Sequence, residues 1–133
     1  MSIRPMNRAV TILAWVLAVS FVAGFVTKFM PGETFFGPPY AVKFVEWGYP
    51  SWFRFVVGTG ELAGGIMLLL PRYRFVGCLL LIVILEGAIV THVVNANPIG
   101  ESTAAPVTLL LVAIVAVASS PIRIGHLVPA VER

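Results

Sequence analysis

Four stretches of this sequence are long, apolar and almost free of charge, over residues 9–29, 52–70, 75–94 and 104–119. A bilayer core of about 30 Å takes roughly 20 helical residues to cross. Three stretches meet that length, and the fourth is short. The runs are continuous rather than alternating, and hydrocarbon offers open backbone groups no partner, so each is predicted to be a helix. The sequence therefore predicts an all-α membrane protein: one four-transmembrane-helix bundle that occupies residues 1–133 as a single domain.

Composition supports lipid as the solvent. Hydrophobic residues make up 59% of the chain and charged residues 11%, with a mean hydropathy of +0.97. Soluble domains carry roughly 25% charged residues, and a chain this short could not hide so much apolar surface from water. The net charge of +3 does not point to nucleic acid, because the bases sit at the ends of apolar runs and not in one patch with aromatics. The single cysteine, Cys78, excludes an intrachain disulfide and a dithiol centre. No metal-ligand spacing is present, so no metal is expected.

Punctuation between the runs sets their connectivity. Pro71-Arg72-Tyr73-Arg74 reads as a tight turn that makes the second and third spans an antiparallel hairpin. Asn95 to Thr103 reads as a short polar loop, with Ser102-Thr103 capping the fourth span and Pro121 stopping it. The connection over residues 30–51 is aromatic-rich, as chain at a lipid–water boundary tends to be. Ala41, Phe44, Val45 and Gly48 share helical spacing, so a short interfacial helix, or an ordered aromatic loop, is expected there. The first run exceeds a signal-peptide core, and it is read as a retained span.

Basic residues divide unequally between the two ends. Arg4, Arg8, Arg72, Arg74, Arg123 and Arg133 fall on one side, and Lys28, Lys43 and Arg54 on the other. By the positive-inside rule, both termini are cytoplasmic. The expected location is a multi-pass cell membrane, of the bacterial inner-membrane kind.

Ionisable groups inside a span are costly and are functional candidates by default. Glu61 lies about 14 Å below Trp52, and Glu86 about 18 Å from Arg74, at a rise of 1.5 Å per residue. The two carboxylates are thus expected at similar depth on adjoining helices, where both could not stay ionised if they were close. Arg54, Lys28 and His92 lie toward the outer side. Together with the two acids they predict a polar cavity running from the midplane outward. Such residues can bind a ligand or handle protons, knit helices together, or meet another subunit. Gly58, Gly60, Gly64 and Gly65 surround Glu61 and include a GxxxG spacing suited to close helix packing.

The motifs in order resemble a known family. Gly24 to Phe29 is similar to a "G-x-x-K-F" element, Gly58 to Arg72 to a "G-x-x-E-L-x-G-G-x-x-L-L" helix, and Glu86 to His92 to a "G-A-x-x-T-H" element. Together they resemble the DoxX-like membrane proteins over nearly the whole chain. That resemblance implies a compact four-helix membrane fold, with Lys28, Glu61 and His92 at the family's polar positions. Relatives include the small membrane subunit of a thiosulfate:quinone oxidoreductase and DoxX proteins that join membrane redox complexes.

Three functions are weighed. The first is a membrane subunit or quinone-binding component of a redox system, with no intrinsic cofactor and no catalysis by this chain alone. The second is an assembly module that contacts a redox partner protein or a second copy of itself. The third is a small-solute transporter, which is disfavoured because the first span holds no carboxylate.

Overall fold

A computed structural model describes residues 7–34 and 37–121. Arg4, Arg123 and Arg133 of the orientation argument, and Phe35 and Phe36 of the aromatic connection, lie outside the described residues. The regular structure of the described residues is helical, with α1 (Arg8–Phe29), α2 (Tyr40–Glu46), α3 (Phe53–Leu69), α4 (Arg74–Val94), α5 (Ile99–Ser102) and α6 (Ala104–Ser119). A single Thr34–Gly37 bridge is the only β pairing among the described residues.

Prolines fix the helix ends. Met30, Leu70 and Ser120 each precede a proline and are all extended. The proline ring disfavours helical backbone in the residue before it. At the start of α1 the Asn7 side chain accepts a bond from the Val10 N–H at 2.9 Å, satisfying one of the free donors of the first turn.

The predicted cap on α6 is not formed. Thr103 has helical backbone, and its hydroxyl donates back to the Ile99 carbonyl at 2.5 Å. Residues 99–119 form an almost continuous rod, and the expected polar loop contains the helix α5. The ladder is interrupted near Thr103 because Pro106, four residues after Ser102, has no N–H to give the Ser102 carbonyl.

α1 lies along α3, α3 against α4, and α4 against α6, while α1 and α6 meet over a shorter contact. Glycines set the register. A Cβ on Gly58 would meet Lys28 and Phe29, and one on Gly65 would meet Ala18 and Phe21, so α1 and α3 run antiparallel. Gly60 faces Ile84, Gly64 faces Leu81, and Gly77 faces Met67, so α3 and α4 also run antiparallel. The Gly60/Gly64 pair thus serves α4, while Gly58 and Gly65 serve α1.

The fully buried side chains Leu68, Cys78, Leu81, Val112 and Val115 belong to one apolar core, and Thr27 is buried near the end of α1. Among the described residues, three helical segments are long and apolar enough to cross a membrane: Arg8–Phe29, Arg74–Val94 and Ile99–Ser119. At most 28% of each apolar window is buried inside the protein. The remaining apolar surface faces outward, as a lipid solvent requires.

α2 folds across one end of α1 and α3. Only Phe44 of the expected stripe is buried. Val45 is exposed, and Gly48 lies beyond the helix. Gly48, at φ +94°, is the left-handed residue that terminates α2. Its N–H bonds to Val45 and the next N–H, of Tyr49, to Phe44 at 2.8 Å, with the Phe44 and Tyr49 rings in contact. This is the Schellman arrangement, which needs a residue tolerant of positive φ.

Candidate functional site

Glu61 is the middle residue of α3, about 12 Å from either helix end. Lys28, the penultimate residue of α1, sits level with Gly58, and its side chain extends deeper into the assembly. Its ammonium lies 2.7 Å from Glu61 Oε1, with side chains 12% and 10% exposed. The two groups form a direct ion pair. Lysines near helix ends usually extend toward water. This one points inward because Glu61 offers the charge partner.

Gly24 makes room for the carboxylate. A Cβ there would collide with Glu61 Oε2. On its outer side the pair is covered by Tyr40 from α2. The Lys28 ammonium lies 4.6 Å from the Tyr40 ring centroid, and the Lys43 ammonium lies at the same distance. One phenol ring thus faces two cations, a favourable electrostatic arrangement. Burial, and then the negative charge of Glu61, push the Tyr40 phenol above its usual 10.0. Burial draws the Lys43 ammonium below its ordinary value, with Glu101 opposing and Lys28 adding to the shift. Phe25, Phe29 and Phe55 form a run of ring contacts at 4.9 and 4.8 Å around the same end of α1.

The other expected members are elsewhere. Glu86 does not join Glu61: it is exposed on the outer face of α4. The buried residues of α4 include Gly77, Cys78, Leu81 and Leu85, and one further residue rotates the side chain by about 100° out of that stripe. The expected pair of carboxylates is therefore not formed.

Arg54 also stays out of the ion pair. Its Nη1 donates to the Lys28 and Met30 carbonyls at 3.0 and 3.2 Å, and its guanidinium covers the Phe55 ring. It caps the C-terminus of α1, where orphan carbonyls and the negative dipole end favour a cation. Arg74 does the same for α3 at the opposite end, with Nε donating to the Leu68 carbonyl at 2.6 Å.

His92 belongs to the end of α4. Its Nδ1 lies 2.9 Å from Asn97 Oδ1, and its ring meets Trp47 edge-on. Ala96 there has φ 50°, and the Asn97 N–H bonds to the His92 carbonyl, forming a second Schellman end. Tyr49 ties the connection to the same helix through a 2.6 Å bond with Thr91. Sequence reasoning did not single out Tyr40 as a member of the centre. Its only signal was its place in an aromatic connection. Among the described residues no cluster of potential metal ligands is formed.

Apolar helices with outward apolar faces, closed at one end by an aromatic segment over a buried ion pair, define a multi-pass helical membrane protein. The profile of the DoxX-like family matches residues 12–117, from the first turns of α1 to the last turns of α6. The chain belongs to the DoxX-like family. No curated protein matches it, and no solved structure does.

Proposed function

We propose that this DoxX-like protein crosses the bilayer four times, and that its Lys28–Glu61–Tyr40 centre holds the polar head of a quinone, or a similar small hydrophobic ligand, as part of a membrane redox system. The fourth crossing is α3. Its 17 residues span about 26 Å, it lies between two spanning helices, and exposed Trp52 and Tyr73 flank it as interfacial aromatics do. On this reading both termini are cytoplasmic, because Arg4, Arg8, Arg72, Arg74, Arg123 and Arg133 fall on that side of the sequence against Lys28, Lys43 and Arg54 on the other. At the outer end Lys28 pairs with Glu61 and Arg54 donates to helix carbonyls.

The observation that carries the ligand reading is the Lys28–Glu61 pair itself. A buried ion pair offsets its desolvation only when further hydrogen bonds complete it, and the Lys28 ammonium, 2.7 Å from Glu61 Oε1, has donors beyond the one that faces that oxygen. An ammonium has three donors, and a quinone carbonyl is an acceptor. The donor chemistry of Lys28 and the Tyr40 phenol therefore fits such a head group, and the phenylalanine run suits its ring. A bound quinone would supply two-electron, two-proton carrier chemistry. Lys28 would orient the carbonyl, Glu61 would hold or release a proton at its carboxylate, and Tyr40 would keep water out.

The test is quinone binding to the purified protein in nanodiscs. Wild type should retain the ligand, and Lys28→Met and Glu61→Gln should each weaken binding tenfold or more, about 1.4 kcal/mol. Equal binding by all three, or none by wild type, overturns the proposal. An assembly role without chemistry is favoured by one separate observation, the exposure of Glu86 on α4.

A further inference from the structure

Glu86 is placed where a carboxyl group should not be left alone. It lies twelve residues after Arg74 and eight before Val94, about 18 Å and 12 Å from the two ends of α4, near the middle of a bilayer. Its neighbours on the same outward face are Val76, Leu79, Val83, Val90 and Val93, all exposed. Among the described residues it is the only exposed ionisable side chain on a long helix away from the helix ends. Ionisable groups at this depth normally face other protein or a watery cavity. Lipid tails supply no donor or acceptor.

The face around it is built for a helix. Residues 76, 79, 83, 86, 90 and 93 alternate steps of three and four, the spacing of a left-handed helix pair. Gly87 beside Glu86 leaves open space, because a Cβ there would meet nothing within 4 Å, and small residues allow close approach of helices in lipid. A single polar position within an apolar seam is a known way to fix register and partner number.

We infer that the outer face of α4 packs against the same face of a second copy of this chain, about a two-fold axis along the membrane normal, with the two Glu86 carboxyl groups hydrogen-bonded to each other. Self-pairing fits because a carboxyl group can both donate and accept, so two of them at one depth complement each other. An isologous contact brings each residue of the seam to its own mate. A head-to-tail contact would instead need an outward-facing base at mid-depth, and the described helices carry none. The inference requires only that α4 spans the membrane, and is independent of any ligand at Lys28 and Glu61.

Disulfide cross-linking in native membranes tests it. Cys78 is fully buried, so an engineered cysteine reports alone. Val83→Cys and Val90→Cys should each give a dimer of the chain under mild oxidation. Val19→Cys, exposed at mid-depth on α1, should not, since α1 makes no extended contact with α4. In the Val90→Cys background, Glu86→Gln should preserve the dimer, because an amide also donates and accepts. Glu86→Leu should weaken it roughly 3- to 30-fold, the range of interhelical hydrogen bonds in lipid. A monomer in every case, equal dimer yield with Glu86→Leu, or Glu86-dependent cross-linking to a different protein overturns the inference. Each result is read alongside quinone binding by the same preparations, so loss of one leaves the other standing.

Discussion

The carboxylate of Glu61 lies directly against Gly24 on the neighbouring helix, with no space for a Cβ between them. The glycine therefore determines where the acid of α3 sits. Gly24→Ala should cost about 1–3 kcal/mol through forced displacement of the carboxylate, and most of that cost should vanish in a Glu61→Ala background. A double-mutant cycle of unfolding in bicelles measures the coupling, and additive effects would contradict it. Gly77→Ala is the contrasting case. Its Cβ would meet Met67 Cβ at 2.7 Å and the Gly64 carbonyl at 3.1 Å, neither of them the end of a flexible side chain, so a similar loss should persist in every background.

The Lys28–Glu61 pair should show the asymmetry of buried charges. Lys28→Met or Glu61→Gln alone leaves one group without its partner, which costs about 3–5 kcal/mol in buried pairs. The double variant should be less destabilised than the sum of the two. Thermal unfolding in a fixed lipid mixture checks this. Two small, additive effects would mean that the pair is solvated.

Tyr40 should titrate late. Burial first, and Glu61 second, raise its phenol above 10.0. The folded value lies above the unfolded one, so its contribution to stability is complete below about pH 10 and is lost as pH rises through the folded value. Tyrosinate absorbance of wild type minus Tyr40→Phe reports the midpoint, and one at or below 10.0 would contradict this expectation. Tyr40→Phe keeps both ammonium–ring contacts and should be mild. Tyr40→Leu loses them and should cost about 0.5–2 kcal/mol.

Ala96 is strained at the end of α4. Left-handed backbone costs a residue with a Cβ about 1–2 kcal/mol, and its φ is 50°. Ala96→Gly should therefore stabilise the protein by about 0.5–1 kcal/mol, as at Gly48, where the equivalent turn already holds glycine. A lower unfolding temperature for this variant would show that the turn is held differently.

Much of this architecture was legible without coordinates, because it depends on local chemistry. Limits of the apolar runs followed from apolar length and from the prolines at 71 and 121, while the proline at 31, which acts the same way on Met30, was not used. The glycines around Glu61 were legible as packing residues, although not which helix each one served. Lys28 and Glu61 could be proposed as partners in a shared site because each carries charge into an apolar run.

Rotation about the helix axis was decided only by tertiary structure. α4 is apolar on every side, so its sequence carries no pattern saying which stripe faces inward. Glu86, one residue beyond Leu85, therefore points outward although its depth matches that of Glu61. Arg54 and His92 were drawn to orphan carbonyls and a helix-ending turn, which exist only once the ends of α1 and α4 are set in space. Sequence by itself determined which segments are long and apolar and how far along each of them a charge lies, since length and polarity are properties of the chain. Which charges meet was decided by packing, since contact depends on azimuth, and in a uniformly apolar helix only its neighbours set that.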